Sequence, residues 1–148
     1  MSDLRELYRE VILDHNRNPR NFGALEDADR IIDAVNPLCG DKLRLYLKLA
    51  DGCIADVRFE GTGCAISVAS SSLMTERVKG SQIDDALQLQ NQVHALLTRE
   101  SSDTGPSLGK LAALSGVREF PSRVKCASLG WHALKSGLRG DATEVSTE

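Results

Sequence analysis

The side chains of this chain able to hold a metal or act as nucleophiles are its cysteines, its histidines and a few acids. Three of the four cysteines stand where elements should begin or end. Cys39 lies in Asn36-Pro37-Leu38-Cys39-Gly40-Asp41, a turn leading into a strand, where Gly40 lets the backbone bend so that Cys39 and Asp41 can point at one centre. Cys64 follows Gly61-Thr62-Gly63 and opens a helix, whose positive end and free N–H groups favour a thiolate. Cys126 falls in the first turns of a later helix, beside Lys125 and near Arg123. Three thiolates and a carboxylate make a tetrahedral donor set suited to zinc or an iron–sulfur cluster. Around a divalent ion they leave a net charge of about −2, which Arg123 and Lys125 are placed in sequence to offset. There is no C-x-x-C pair. Spacing alone therefore leaves scattered core cysteines as an equal reading, and the three local contexts raise the metal site above it. A closed structural zinc site without thiol chemistry is the rival reading of the same four residues.

The remaining reactive side chains read more plainly. Cys53 falls on the apolar side of a strand and is expected to be a small buried core residue. Asp41 could serve only as a turn former. His15 sits at a helix C-terminus, where a partly charged imidazole complements the dipole. His94 is expected to face solvent. His132, six residues past Cys126, is expected at the surface or in packing, with metal ligation held in reserve. The Ser- and Ala-rich stretch 65–72 suits close backbone approach, and no G-x-S-x-G nucleophile motif is present.

These residues need a scaffold, and the hydrophobic pattern supplies one. Leu4, Leu7, Tyr8, Val11 and Ile12 predict a helix over 3–16. A short strand is expected at 31–35. Leu43, Leu45, Leu47 and Leu49 alternate with polar residues, which predicts a strand over 42–49 with one apolar face. Asp51-Gly52 predicts a hairpin turn, with a return strand at 53–60 carrying Cys53, Ala55, Val57 and Phe59 on one side. Helices are then expected from Cys64 to about Lys79, from Ser81 onward, at 108–114, and from about Ser122 to a break at Gly137. Residues 140–148 read as a frayed, disordered tail. Strands first and helices after predict an α+β fold: a small, mostly antiparallel three-stranded sheet with about five helices packed on one face. The length, 148 residues, suits a single domain over 1–148.

Composition narrows the function. The net charge is −3 and aromatics are few, which argues against nucleic acid as a partner. No apolar run approaches a membrane span, and the charged N-terminal residues do not resemble a secretory signal. A cytoplasmic location is expected, where clustered cysteines serve as metal ligands or reactive groups more often than as disulfides.

The segments Asn36-Pro37-Leu38-Cys39-Gly40-Asp41, Gly61-Thr62-Gly63-Cys64-Ala65-Ile66-Ser67 and Arg123-Val124-Lys125-Cys126-Ala127 resemble the three cysteine motifs of the U-type iron–sulfur assembly proteins. The similarity runs from the first helix, through Asn18-Pro19-Arg20-Asn21-Phe22-Gly23, to about Leu138. In the scaffold branch of that family a histidine precedes the third cysteine, and a Leu-Pro-Pro-Val-Lys segment engages a chaperone. This chain has Lys125 at the histidine position and Phe120-Pro121-Ser122-Arg123-Val124 near the other. With its long 65–125 interval it resembles the zinc-containing, sulfur-accepting branch. The resemblance implies Zn2+ on Cys39, Asp41, Cys64 and Cys126, with Cys39 accepting persulfide sulfur from a pyridoxal-phosphate (PLP) cysteine desulfurase. It further implies that a desulfurase histidine takes over one zinc position, and that the sulfur passes to a downstream iron–sulfur scaffold or acceptor protein. A carrier is implied more than a stand-alone enzyme. The alternative is a scaffold that assembles a [2Fe–2S] cluster on the same residues.

Overall fold

The computed structural model describes residues 2–37, 40–98, 111, 114, 116–117, 120–140 and 144–146. The elements run α1 (Ser2–Arg17), β1 (Arg30–Asn36), β2 (Asp41–Ala50), β3 (Cys53–Thr62), α2 (Ala65–Val78), α3 (Ile83–Leu97), α4 (Pro121–Arg139) and β4 (Glu144–Ser146).

The sheet has the order β3-β2-β1-β4. The antiparallel β1–β2–β3 meander follows the alternation of apolar residues. Ile32, Ala34, Leu43, Leu45, Leu47, Val57 and Phe59 are all buried on the face that the helices cover. The opposite face carries polar pairs such as Arg44 Nε with Asp33 Oδ1 at 2.7 Å. The β2–β3 turn has both Asp51 and Gly52 at positive φ, 54° and 74°, the conformation that Asp-Gly favours in a two-residue hairpin.

Two parts of the sequence expectation are corrected. The sheet has four strands, because Glu144–Ser146, inside the expected frayed tail, pair in parallel with β1 from Asp33↔Glu144 to Val35↔Ser146. It is therefore mixed rather than wholly antiparallel. A three-residue strand is too short to show its own periodicity, and only the exposed edge of β1 reveals where it pairs. The described residues form four α-helices rather than about five. Of the expected helix at 108–114, Leu111 and Leu114 lie in 3₁₀ turns and are fully buried, and the rest falls outside the described residues.

The return strand also departs from simple alternation. Lys48 pairs with Asp56 and Leu49 with Ile54, so Ala55 is an extra residue in a β-bulge. The bulge turns Ile54 into the core and leaves Cys53 half-exposed, not the buried core cysteine expected from period two.

Helix α2 runs through the middle of the helical layer, against α1, α4 and β3. Its Ser67, Ser70, Ser71, Ser72 and Thr75 are all buried. Such hydroxyls need partners. Ser70 Oγ donates to the Ala127 carbonyl at 2.6 Å and accepts from Trp131 Nε1 at 3.1 Å. Ser72 Oγ accepts from the Arg20 N–H at 2.8 Å and pairs with His15 Nδ1 at 2.7 Å. His15 does stand in the last turn of α1, and it is also buried there, bridging α1 to α2. The small residues allow the close approach expected of them: a Cβ at Gly130 on α4 would stand 2.5 Å from Ser71 Oγ.

Helix α4 does not break at Gly137. It continues to Arg139 and is capped by left-handed Gly140 (φ 70°). Gly137 is a packing glycine: a Cβ there would lie 2.6 Å from both Ile32 Cδ1 and Leu47 Cδ1. That contact seats α4 on β1 and β2 and fixes the height of its N-terminal half, which carries Cys126.

Candidate metal centre

Three elements deliver the site. Strand β1 ends at Asn36 and β2 begins at Asp41, directly opposite in the ladder. The intervening turn is closed by the Gly40 N–H donating to the Asn36 carbonyl at 2.9 Å, with Gly40 at φ 72°. This is the left-handed bend expected of Gly40. Strand β3 pairs Thr62 with Lys42, so Gly63 and Cys64 emerge beside Asp41. Cys64 is the N-cap of α2 and half-buried. Cys126 comes from the second turn of α4 and is 1% exposed.

The donor atoms of Asp41, Cys64 and Cys126 all lie within 4.8 Å of one another. Tetrahedral zinc with such ligands places neighbouring donors roughly 3.3–3.8 Å apart. The three groups are therefore close to the spacing such an ion imposes, and two soft sulfurs with a carboxylate match its chemistry. Asp41 is fully buried, with Oδ1 accepting from the Cys64 N–H at 2.8 Å and Oδ2 from Asn36 Nδ2 at 3.2 Å. It is more than a turn former. Gly63 (φ 146°) stands over this carboxylate, where a Cβ would lie 2.2 Å from Asp41 Oδ1. Cys126 Sγ accepts from Asn36 Nδ2 at 3.4 Å and lies 3.8 Å from the Ser122 carbonyl.

Of the residues expected at the site, Asp41, Cys64 and Cys126 are brought together, and Cys39 lies outside the described residues. Arg123 is exposed at the N-terminal end of α4, where its charge, like that of Cys64, acts on Tyr8. Lys125 is half-buried; as the residue before Cys126 it projects about 100° around the helix from the Cys126 side chain. Two residues at the site escape the sequence reading. Tyr8 reads as part of the apolar stripe of α1, but its phenol feels both Cys64 and Arg123. Burial raises its pKa, Arg123 opposes that rise and Cys64 adds to it. Asn36 reads as a strand terminator, yet its side chain meets two of the three clustered residues. The inward parity of Ile32, Ala34 and Asn36 on β1 was the available clue.

His132 is not in the cluster. It lies against His94, with ring centroids 5.8 Å apart, and both are half-buried, so His94 does not simply face solvent. Burial lowers the pKa of His132, and the neighbouring His94 and Lys135 lower it further. The folded state therefore binds this proton less readily than the unfolded chain. The stability is fully present above the ordinary imidazole value of 6.5 and drains as pH falls toward the folded value. Metal-free protein is expected to lose melting temperature between about pH 7.5 and about pH 5.5, and His132→Gln should flatten that slope. Parallel slopes in the two proteins would contradict this assignment.

Among the described residues, no helix is long and apolar enough to cross a membrane. Residues 7–138 match the family model described as the NifU-like N terminal domain. The zinc-dependent sulfurtransferase SufU of Bacillus subtilis (strain 168) is 44% identical over 137 residues, covering 93% of this chain and 92% of that protein. The iron–sulfur cluster assembly scaffold protein IscU of Streptococcus pyogenes serotype M1 is 37% identical, covering 96% and 89%. A crystal structure from Fervidobacterium islandicum AW-1, of a protein described as an iron–sulfur cluster assembly scaffold for the SUF system, superposes with a TM-score of 0.84 at 33% identity, covering 90% of this chain and 98% of that one. A family model spanning most of the chain, and relatives aligned nearly end to end, make this chain a member of the NifU-like N-terminal domain family.

Proposed function

We propose that this protein accepts persulfide sulfur from a PLP-dependent cysteine desulfurase and delivers it to iron–sulfur cluster assembly in the cytoplasm. The observation that carries the reading is the convergence of Asp41, Cys64 and Cys126 from three elements distant in sequence. Zn2+ is the proposed metal, with Cys39 as fourth ligand and sulfur acceptor. Similarity to a zinc-dependent sulfurtransferase supports this choice, as does Lys125 at the position where scaffold members resemble one another in carrying histidine.

The metal supplies charge that keeps the sulfurs deprotonated. The chain's own groups do the rest. The Cys64 N–H and Asn36 orient Asp41, and burial keeps water from Cys126. The transfer is a thiol–persulfide exchange. The Cys39 thiolate attacks the outer sulfur of the desulfurase Cys–S–SH, a new S–S bond forms, and the enzyme's own sulfur leaves as a thiolate. No net oxidation occurs. Arg123, exposed in the first turn of the helix that carries Cys126, is the cation proposed to meet the anionic leaving group or the docked partner.

A second reading, a [2Fe–2S] scaffold on the same residues, is favoured by the similarity to proteins described as scaffolds. Element analysis and desulfurase turnover separate the two. Sulfur acceptance predicts about one zinc per chain, no visible colour, and faster sulfide release by the desulfurase under reducing conditions when the protein is added. A visible-absorbing cluster that transfers intact to an apo-protein, without stimulation of the desulfurase, would contradict it.

A further inference from the structure

Strand β1 points Ile32, Ala34 and Asn36 inward. The first two join the core, and Asn36, in the same column, is 0% exposed. An amide in an apolar column is costly unless its hydrogen-bonding groups find partners. Here one NH2 group reaches two partners, Asp41 Oδ2 at 3.2 Å and Cys126 Sγ at 3.4 Å. Both are acceptors once ionised. The reverse amide orientation would set a carbonyl oxygen against a carboxylate and a sulfur, so the donor edge must face them. The Ser122 carbonyl near Cys126 Sγ can accept only from a thiol S–H, whereas the Asn36 contact survives and strengthens when the sulfur becomes a thiolate.

We propose that Asn36 is a positioning residue of the metal centre, its side-chain NH2 clamping Asp41 and Cys126 into a preformed half-site. The assignment rests on the metal-binding reading above. The clamp divides the ligands into two kinds. Asp41 and Cys126 are buried and share a donor that spreads their negative charge. Cys64, half-buried at a helix start, is held at its backbone N–H, which donates to Asp41 Oδ1, and the Asn36 amide reaches the sulfur of Cys126 instead. Exchange of a ligand against a group from a docked partner is then confined to positions that Asn36 does not hold.

The test uses full-length protein loaded with Co2+ and, separately, with 113Cd2+. Asn36→Leu keeps the branched heavy-atom skeleton, in a somewhat larger side chain, and removes both N–H donors. It should bind Co2+ about 10–100-fold more weakly than wild type, as loss of an outer-shell partner does elsewhere. It should also shift the sulfur-to-cobalt charge-transfer band, which a purely structural role of Asn36 would leave in place. In wild-type 113Cd protein, the Asn36 side-chain amide protons should shift on loading and show scalar coupling to 113Cd through the N–H···S contact. This second measurement decides the matter if the variant does not fold. Wild-type affinity and an unmoved band in Asn36→Leu, or amide protons unaffected by 113Cd, would overturn the clamp while leaving metal binding intact. A wild-type protein that takes up neither ion would overturn the clamp together with the metal reading.

Discussion

Gly63→Ala is expected to purify without its metal and to melt well below the wild-type protein. Gly63 adopts φ 146°, a region that L side chains rarely enter, and this alone costs about 1–3 kcal/mol. Its missing side chain also makes room for the carboxylate. An alanine Cβ would lie 2.2 Å from Asp41 Oδ1, 2.9 Å from its Cγ and 3.0 Å from its Cα. The carboxylate cannot simply swing away, because its two oxygens are held by the Cys64 N–H and by Asn36. Moving it breaks buried hydrogen bonds at about 1–3 kcal/mol for each group left unpaired, and displaces a proposed ligand. Zinc content after gel filtration should fall at least ~10-fold. A Gly63→Ala protein with full zinc and unchanged melting would show that Asp41 is not confined as described.

Cys39→Ala should leave desulfurase turnover at the level of the enzyme alone, and should carry no 35S after incubation with enzyme and labelled cysteine. Asp41, Cys64 and Cys126 remain in this variant, so it should still take up metal, more weakly and with one position open. Loss of sulfur acceptance with partial retention of zinc separates a nucleophile from a structural ligand. Cys53→Ala is the matched control, since Cys53 is half-exposed at the β2–β3 turn and outside the cluster. It should behave as wild type. A Cys39→Ala protein that stimulates the desulfurase normally would instead support an interaction module whose zinc is purely structural.

Much of this architecture follows from short-range pattern. The Leu43–Leu49 alternation and Asp51-Gly52 are sufficient to place the β2–β3 hairpin. Gly63 before Cys64 marks the start of α2. What pattern misses are features decided by distant neighbours. The bulge at Ala55 reverses the strand's parity, and nothing within β3 announces it. Gly137 has the composition of a helix stop but is required by Ile32 and Leu47 on the sheet. Glu144–Ser146 form a strand only because β1 offers an edge. His94 reads as a surface histidine until α4 packs His132 against it, and the helix-end position of His15 does not reveal its bond to Ser72 on α2. At the site, the residue types that bind metals are conspicuous. Asn36 and Tyr8 are not, because their importance lies in what the fold sets beside them rather than in their own chemistry.

Zinc K-edge X-ray absorption on the untagged protein tests the central claim most directly. Three cysteines and one aspartate predict about three sulfur scatterers near 2.3 Å and one oxygen near 2.0 Å, with the sulfur number dropping by about one in Cys39→Ala. A shell of light scatterers only, or a sulfur number unchanged when Cys126 is replaced by serine, would contradict it.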